Sequence, residues 1–154
     1  MLFFLIIKDR LNYNYYVLFR NYNSVILLFN LLPIYPLDGG RLLNLFLSLF
    51  IPLKKSLYIN IYFSFLFLIL LIIKYKSLTL YLILSFLFIK IIEEYNNIKY
   101  LYNKFLLERY LYKFKYKKNK IITNYNNFYR DKMHIIKYKE RYYTENDFLK
   151  KIII

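Results

Sequence analysis

The sequence contains no cysteine, alanine, glutamine or tryptophan, and its 154 residues include only one histidine, two glycines and three prolines. Without cysteine there is no disulfide scaffold, no thiol nucleophile and no thiolate metal site. A lone histidine, His134, excludes any centre that draws two histidines from these residues. Interior volume is also short. Apolar residues make up 59% of the chain, too many for a disordered polypeptide. Runs such as residues 59–73 are longer than so small a chain can hide in a water-soluble core. These exclusions leave a small integral membrane protein.

The residues that are present come from a narrow alphabet: 20 Tyr, 15 Phe, and Lys far in excess of Arg. An AT-rich gene writes such a vocabulary, so part of the net charge of +15 is background. Basic charge points to nucleic acid only when it clusters on a definite module, and no nucleic-acid partner is expected. Charge divides the chain near residue 93. Residues 1–92 hold nine Lys/Arg and two acids, Asp9 and Asp38. Residues 93–154 hold fifteen Lys/Arg against seven acids, a net of +8. The first part reads as membrane and the second as a basic tail in water.

Residues 57–73 form an apolar run bounded by Lys55 and Lys74, at the short end of a bilayer span. Residues 78–92 form a second, in which only Lys90 intrudes, close enough to the end to snorkel. A helical hairpin joined at residues 74–77 would put Lys54, Lys55 and the tail on one side, and the excess of cations there makes that side cytoplasmic. Residues 24–53 are also mostly apolar but are broken by Pro33-Ile34-Tyr35-Pro36-Leu37-Asp38-Gly39-Gly40-Arg41. Proline removes backbone donors, and glycine adds conformational freedom. In hydrocarbon the freed groups are costly unless they line a protein cavity. A discontinuous span with an acid at its break is a known way to build an intramembrane site.

Residues 1–7 are too short for a span and lack the features of a signal peptide, so they read as the remainder of something longer. Residues 8–23, polar and tyrosine-rich, read as a surface loop or hairpin. In the tail, Ile98, Leu101, Tyr102, Phe105 and Leu106 recur at helical spacing and predict an amphipathic helix over 93–110. Residues 113–120 read as a basic linker that anionic lipid could attract. Residues 134–138 and 141–143 predict a small hairpin, and Thr144 a cap for a short helix ending at Lys151. The expected fold is an all-α polytopic membrane protein with a broken helix at the Pro-Leu-Asp-Gly-Gly motif, plus a small basic cytoplasmic α+β tail.

Both glycines and two of the three prolines fall within residues 33–40. The stretch Asn30-Leu-Leu-Pro33-Ile-Tyr-Pro36-Leu-Asp38-Gly39-Gly40-Arg41 resembles the second metal-site motif of the site-2 proteases, zinc enzymes that cut within membranes. The nearest branch is the stage IV sporulation protein FB group. Phe105-Leu-Leu-Glu108-Arg109-Tyr110, Phe128-Tyr-Arg130-Asp131 and Tyr142-Tyr-Thr144-Glu145 also look like that branch, more softly. The resemblance implies that Asp38 is the third protein ligand of a catalytic zinc. Asn30, Pro33, Pro36, Gly39, Gly40 and Arg41 would shape the site near substrate. The other two ligands in that family are histidines of a His-Glu-x-x-His helix, whose Glu activates the zinc-bound water.

This sequence has no His-Glu-x-x-His. The expectation is therefore the C-terminal part of such a protease, inactive alone and short of a catalytic base. Its partners would be an N-terminal half carrying the missing helix, membrane lipids, and a membrane-associated substrate such as a sigma-factor precursor. Two other readings stand beside it: a non-catalytic adaptor that binds a partner or anionic lipid through the tail, and an unrelated small membrane protein. Plainer readings hold for single residues. Asp38 can cap the following helix, and Arg41 can pair with Asp38 or flank it. His134 reads as a surface strand residue, and Glu93-Glu94 as a solvated interfacial pair. Ser48, Ser64 and Ser85 read as helix-packing residues.

Overall fold

A computed structural model describes residues 13–112, 116, 118–138 and 141–153. In chain order the elements are α1 (Tyr13–Asn30), α2 (Asp38–Phe50), α3 (Leu53–Lys74), α4 (Leu78–Tyr112), β1 (Asn119–Ile122), a 3-10 turn (Tyr125–Asn127), β2 (Met133–Tyr138), β3 (Arg141–Thr144) and α5 (Glu145–Ile153). Among the described residues, α3 is the one helix long and apolar enough to cross a membrane. It follows Pro52, whose missing N–H costs nothing at a helix start. It closes on Lys74, a cation suited to the negative helix end.

The apolar run 78–92 and the amphipathic helix over 93–110 are one helix, α4, of 35 residues. No proline or glycine interrupts it. Its buried positions Leu84, Leu87, Ile91, Ile98, Tyr102, Leu106 and Arg109 keep helical spacing straight across residue 93. The charge boundary therefore falls inside a rod of roughly 50 Å. The first half of α4 packs with Leu57, Ile61 and Leu68 of α3 and with Ile34. The second half packs with Ile122, Phe128, Ile136 and Leu149 of the tail. Phe105 lies against both clusters. In the tail, each such side chain withdrawn from water contributes about 1.5–3 kcal/mol.

The tail carries the expected hairpin, with β2 antiparallel to β3 and Ile136 opposite Tyr143. Thr144 Oγ1 accepts from the Asp147 backbone N–H at 3.3 Å at the start of α5. Two expectations need correction. Residues 119–120, read as linker, belong to strand β1, which pairs parallel with β2; residues 113–115 and 117 lie outside the described residues. Residues 13–23, read as loop or hairpin, are the first half of α1. Polar side chains there leave the helix intact: Ser24 Oγ donates to the Arg20 carbonyl one turn back. Residues 1–12 lie outside the described residues. The tail is fixed to the start of α3, where the Leu53 N–H donates to the Phe128 carbonyl and Lys54 Nζ to Asn126 Oδ1.

Between α1 and α2 the backbone breaks as expected, but over residues 31–37; Asp38, Gly39, Gly40 and Arg41 already form the first turn of α2. The Tyr35–Pro36 peptide is cis. Pro33 and Pro36 have no N–H, and each of the other five finds an acceptor. Leu31 donates to the Leu27 carbonyl, Leu32 to Phe29, Ile34 to Leu32 and Leu37 to Ile34. Tyr35 donates to Ser64 Oγ on α3 at 2.9 Å. The break is thus closed within the protein. The glycines do not serve as conformational joints, since neither has positive φ. They are buried because the break lies on top of them. A Cβ on Gly39 would stand 2.1 Å from the Leu31 carbonyl oxygen, and one on Gly40 2.7 Å from the Ile34 carbonyl carbon. Gly39→Ala must push backbone away and should destabilise the helical part by about 1–3 kcal/mol. Leu42→Ala, on an exposed face of α2, should change stability by less than about 0.5 kcal/mol. Detergent-induced unfolding followed by circular dichroism measures both, and equal stability of the two variants would contradict the close approach.

Candidate functional site

Asp38 is the first residue of α2, where the positive end of a helix favours an acid. Two contacts set its depth. Asn44 of α2 meets Ser56 Oγ of α3 at 3.1 Å, and Tyr35 meets Ser64. The 13 residues of α2 extend roughly 20 Å from the end near Lys54, so Asp38 stands alongside the middle of α3. Its carboxylate is 3.9 Å from Arg41 Nη1, and its side chain is 71% exposed. The expected enclosure of Asp38 is not formed by the described residues. The apolar faces beside it, with Val25, Leu28 and Leu31 on one side and Leu42, Leu45 and Phe46 on the other, are themselves exposed.

The structure brings most motif residues together. Pro33 and Pro36 shape the break, Gly39 and Gly40 carry it, and Arg41 faces Asp38. The Tyr35 hydroxyl lies near Glu94 of α4, with Arg41 close enough for its charge to act on both. The glutamate pair is therefore split: Glu93 binds Lys90 at the surface at 2.7 Å, while Glu94 turns towards the motif. Asn30 stands apart, at the end of α1, lining a shallow hollow with Asn23 and Leu27. Ser48 and Ser64 are buried at helix contacts, whereas Ser85 is exposed and bonds its own helix at the Leu82 carbonyl. Among the described residues no three His, Asp or Glu side chains gather as a metal cluster.

The tail holds a site that sequence reasoning missed. Arg109 is almost fully buried and spends its guanidinium on five acceptors. Nε donates to Glu145 Oε1 at 2.5 Å and Nη2 to Oε2 at 3.1 Å. The remaining bonds run to the carbonyls of Tyr129, Arg130 and Lys132. His134 sits on β2 as expected but is buried, not at the surface. Its Nε2 accepts from the Tyr129 N–H at 2.9 Å, so its proton lies on Nδ1, which faces Glu145 Oε2 at 3.1 Å. Burial, then the charges of Arg109 and Lys120, hold His134 below its ordinary pKa against the pull of Glu145. Burial alone would raise Glu145, but its bonds to His134 and Arg109 hold it low. The three soft stretches of the sequence converge here, through Arg109, the Phe128–Asp131 backbone and Glu145. The legible signal was an arginine at a buried helical position, three residues past Leu106.

The chain is related to stage IV sporulation protein FB of Bacillus subtilis (strain 168), with 38% identity over 98 residues, 60% of this chain and 34% of that protein. It spans about a third of the length of that curated relative. No family model matches the chain.

Both titrating groups of the tail network have folded-state pKa values below their unfolded ones. Their stabilisation is complete above the unfolded values and lost as pH falls. Melting of the tail should therefore decline below about pH 6.5 as unfolded His134 takes up a proton the folded form refuses, and further below about pH 4.5 through Glu145. His134→Gln should flatten the first limb; an unchanged pH profile would contradict the neutral, buried imidazole. Glu145→Ala, which strands the Arg109 charge, should cost about 3–5 kcal/mol.

Proposed function

We propose that these residues are the C-terminal part of an intramembrane metalloprotease of site-2 type, with Asp38 as one of three zinc ligands. The observation that carries the reading is the Asn30–Arg41 motif, folded as a hydrogen-bonded break that presents a carboxylate beside the middle of an apolar span. A carboxylate facing hydrocarbon at that depth is costly. Its exposure, and the exposed apolar faces of α1 and α2 around it, fit a surface that a further membrane segment covers. Relatedness to stage IV sporulation protein FB supports the same reading.

One carboxylate does not hold a zinc ion, so the described residues alone do not make the metal site. The two histidines and the general base would come from a segment carrying His-Glu-x-x-His. In this chain Arg41 orients Asp38, while Gly39 and Gly40 fix the depth of its carboxylate. The reading includes a multi-pass membrane location, with α3 and the first half of α4 crossing as a hairpin. The tail lies on the cytoplasmic side with Lys54 and Lys55, by the excess of cations there. The substrate class that goes with the resemblance is a membrane-associated protein such as a sigma-factor precursor.

The test is co-purification with the N-terminal part of the related sporulation protein as the source of the His-Glu-x-x-His helix. The complex should contain close to one zinc per chain by elemental analysis, and Asp38→Ala should lower that content at least tenfold while the two parts still co-purify. Unchanged zinc in Asp38→Ala would overturn the ligand assignment.

A further inference from the structure

We propose that a cleft between the start of α3 and the tail binds the phosphate of an anionic phospholipid. The inference is independent of the protease reading and needs only that α3 crosses the bilayer. The cleft has a volume of about 440 Å³ and lies between the α2–α3 connection and strand β1. Lys55 lines one side, Lys120 and Tyr129 the other, and no lining residue is acidic. Among the described residues, no carboxylate pairs with either lysine. The neighbouring Lys54 is committed elsewhere, to Asn126 and to the rings of Tyr102 and Tyr125.

Charge and position select the ligand. Lys120 Nζ stands 3.8 Å from the centre of the Tyr129 ring, and Lys132 Nζ stands 4.7 Å from it. The Tyr129 ring thus holds two ammonium groups, and that of Lys120 shares the cleft with Lys55. An anion in the cleft meets positive charge from both Lys55 and Lys120, with no acid among the lining residues. Lys55 is in the first turn of the spanning helix, so the cleft sits at headgroup level, where juxtamembrane lysines meet acidic lipid. From its lip, Phe50 and Phe46 lie one helical turn apart on α2, in edge contact at 5.3 Å and both exposed. That strip runs down beside α3 and offers a track for an acyl chain. A soluble phosphate compound would use the lysines but not the strip.

Native mass spectrometry of the full chain in detergent provides the test, with phosphatidylglycerol, phosphatidylcholine and inorganic phosphate as probes. The chain should retain phosphatidylglycerol in preference to phosphatidylcholine. Lys55→Gln/Lys120→Gln should weaken that retention at least fivefold, whereas Lys55→Arg/Lys120→Arg and Lys74→Gln/Lys76→Gln should preserve it. Matching circular dichroism melts keep a folding defect from passing as lost binding. Equal retention of both lipids, or full retention by the Gln variant, overturns the site. Displacement of phosphatidylglycerol by millimolar inorganic phosphate overturns the lipid assignment in favour of a free-phosphate pocket.

Discussion

The helical part of this protein is organised by a backbone-to-backbone contact: residues 31–37 lie directly on Gly39 and Gly40. A polypeptide can interrupt a helix in a low-dielectric setting only if each freed N–H finds an acceptor. Here two prolines remove two donors, four short local bonds absorb four more, and Ser64 reaches across from α3 for the fifth. That closure needs the chain to fold back within bonding distance of its own next helix, and any side chain at residue 39 or 40 would fill the space. The consequence is positional. Asp38 becomes the first residue of α2 alongside the middle of α3, with Arg41 one turn away and Glu94 near Tyr35.

A second constraint comes from α4, which is long enough to take part in two separate cores. Its first half completes the apolar cluster around Ile34 and Leu57, and its second half is the floor of the tail core. The tail is also tied to the first turn of α3 through Phe128 and Asn126. Two attachments, one through a rigid helix and one through hydrogen bonds, fix the tail against the end of the span. The buried Arg109–Glu145–His134 network closes the tail by satisfying the carbonyls of residues 129, 130 and 132. That loop has little regular structure of its own.

Much of this was legible in the sequence, for reasons that can be named. The break could be read because prolines and glycines are so rare here that their clustering between 33 and 40 stood out. The hairpin and the capped last helix followed from two short runs, 134–138 and 141–143, separated by two residues, and from Thr144. The role of the glycines was not legible: composition reads them as flexible, but their need is close approach, which depends on where the loop returns. The unity of α4 was obscured by the change of charge at residue 93, which alters the solvent around a helix without ending it. Strand β1 was hidden because its parallel partner lies eleven or more residues away. His134 was misplaced because nothing local shows that Glu145 and Arg109, distant in sequence, close around it.

The proposed membrane location puts the backbone of the break at mid-depth in the bilayer. The chain's lack of tryptophan allows a direct measurement: Leu31→Trp in the break and Phe50→Trp at the end of α2, both at exposed apolar positions, read by quenching with lipids brominated at different acyl depths. The account predicts that Leu31→Trp is quenched most by deeply brominated lipid and Phe50→Trp by bromine near the headgroups. Equal, shallow quenching of the two would contradict it.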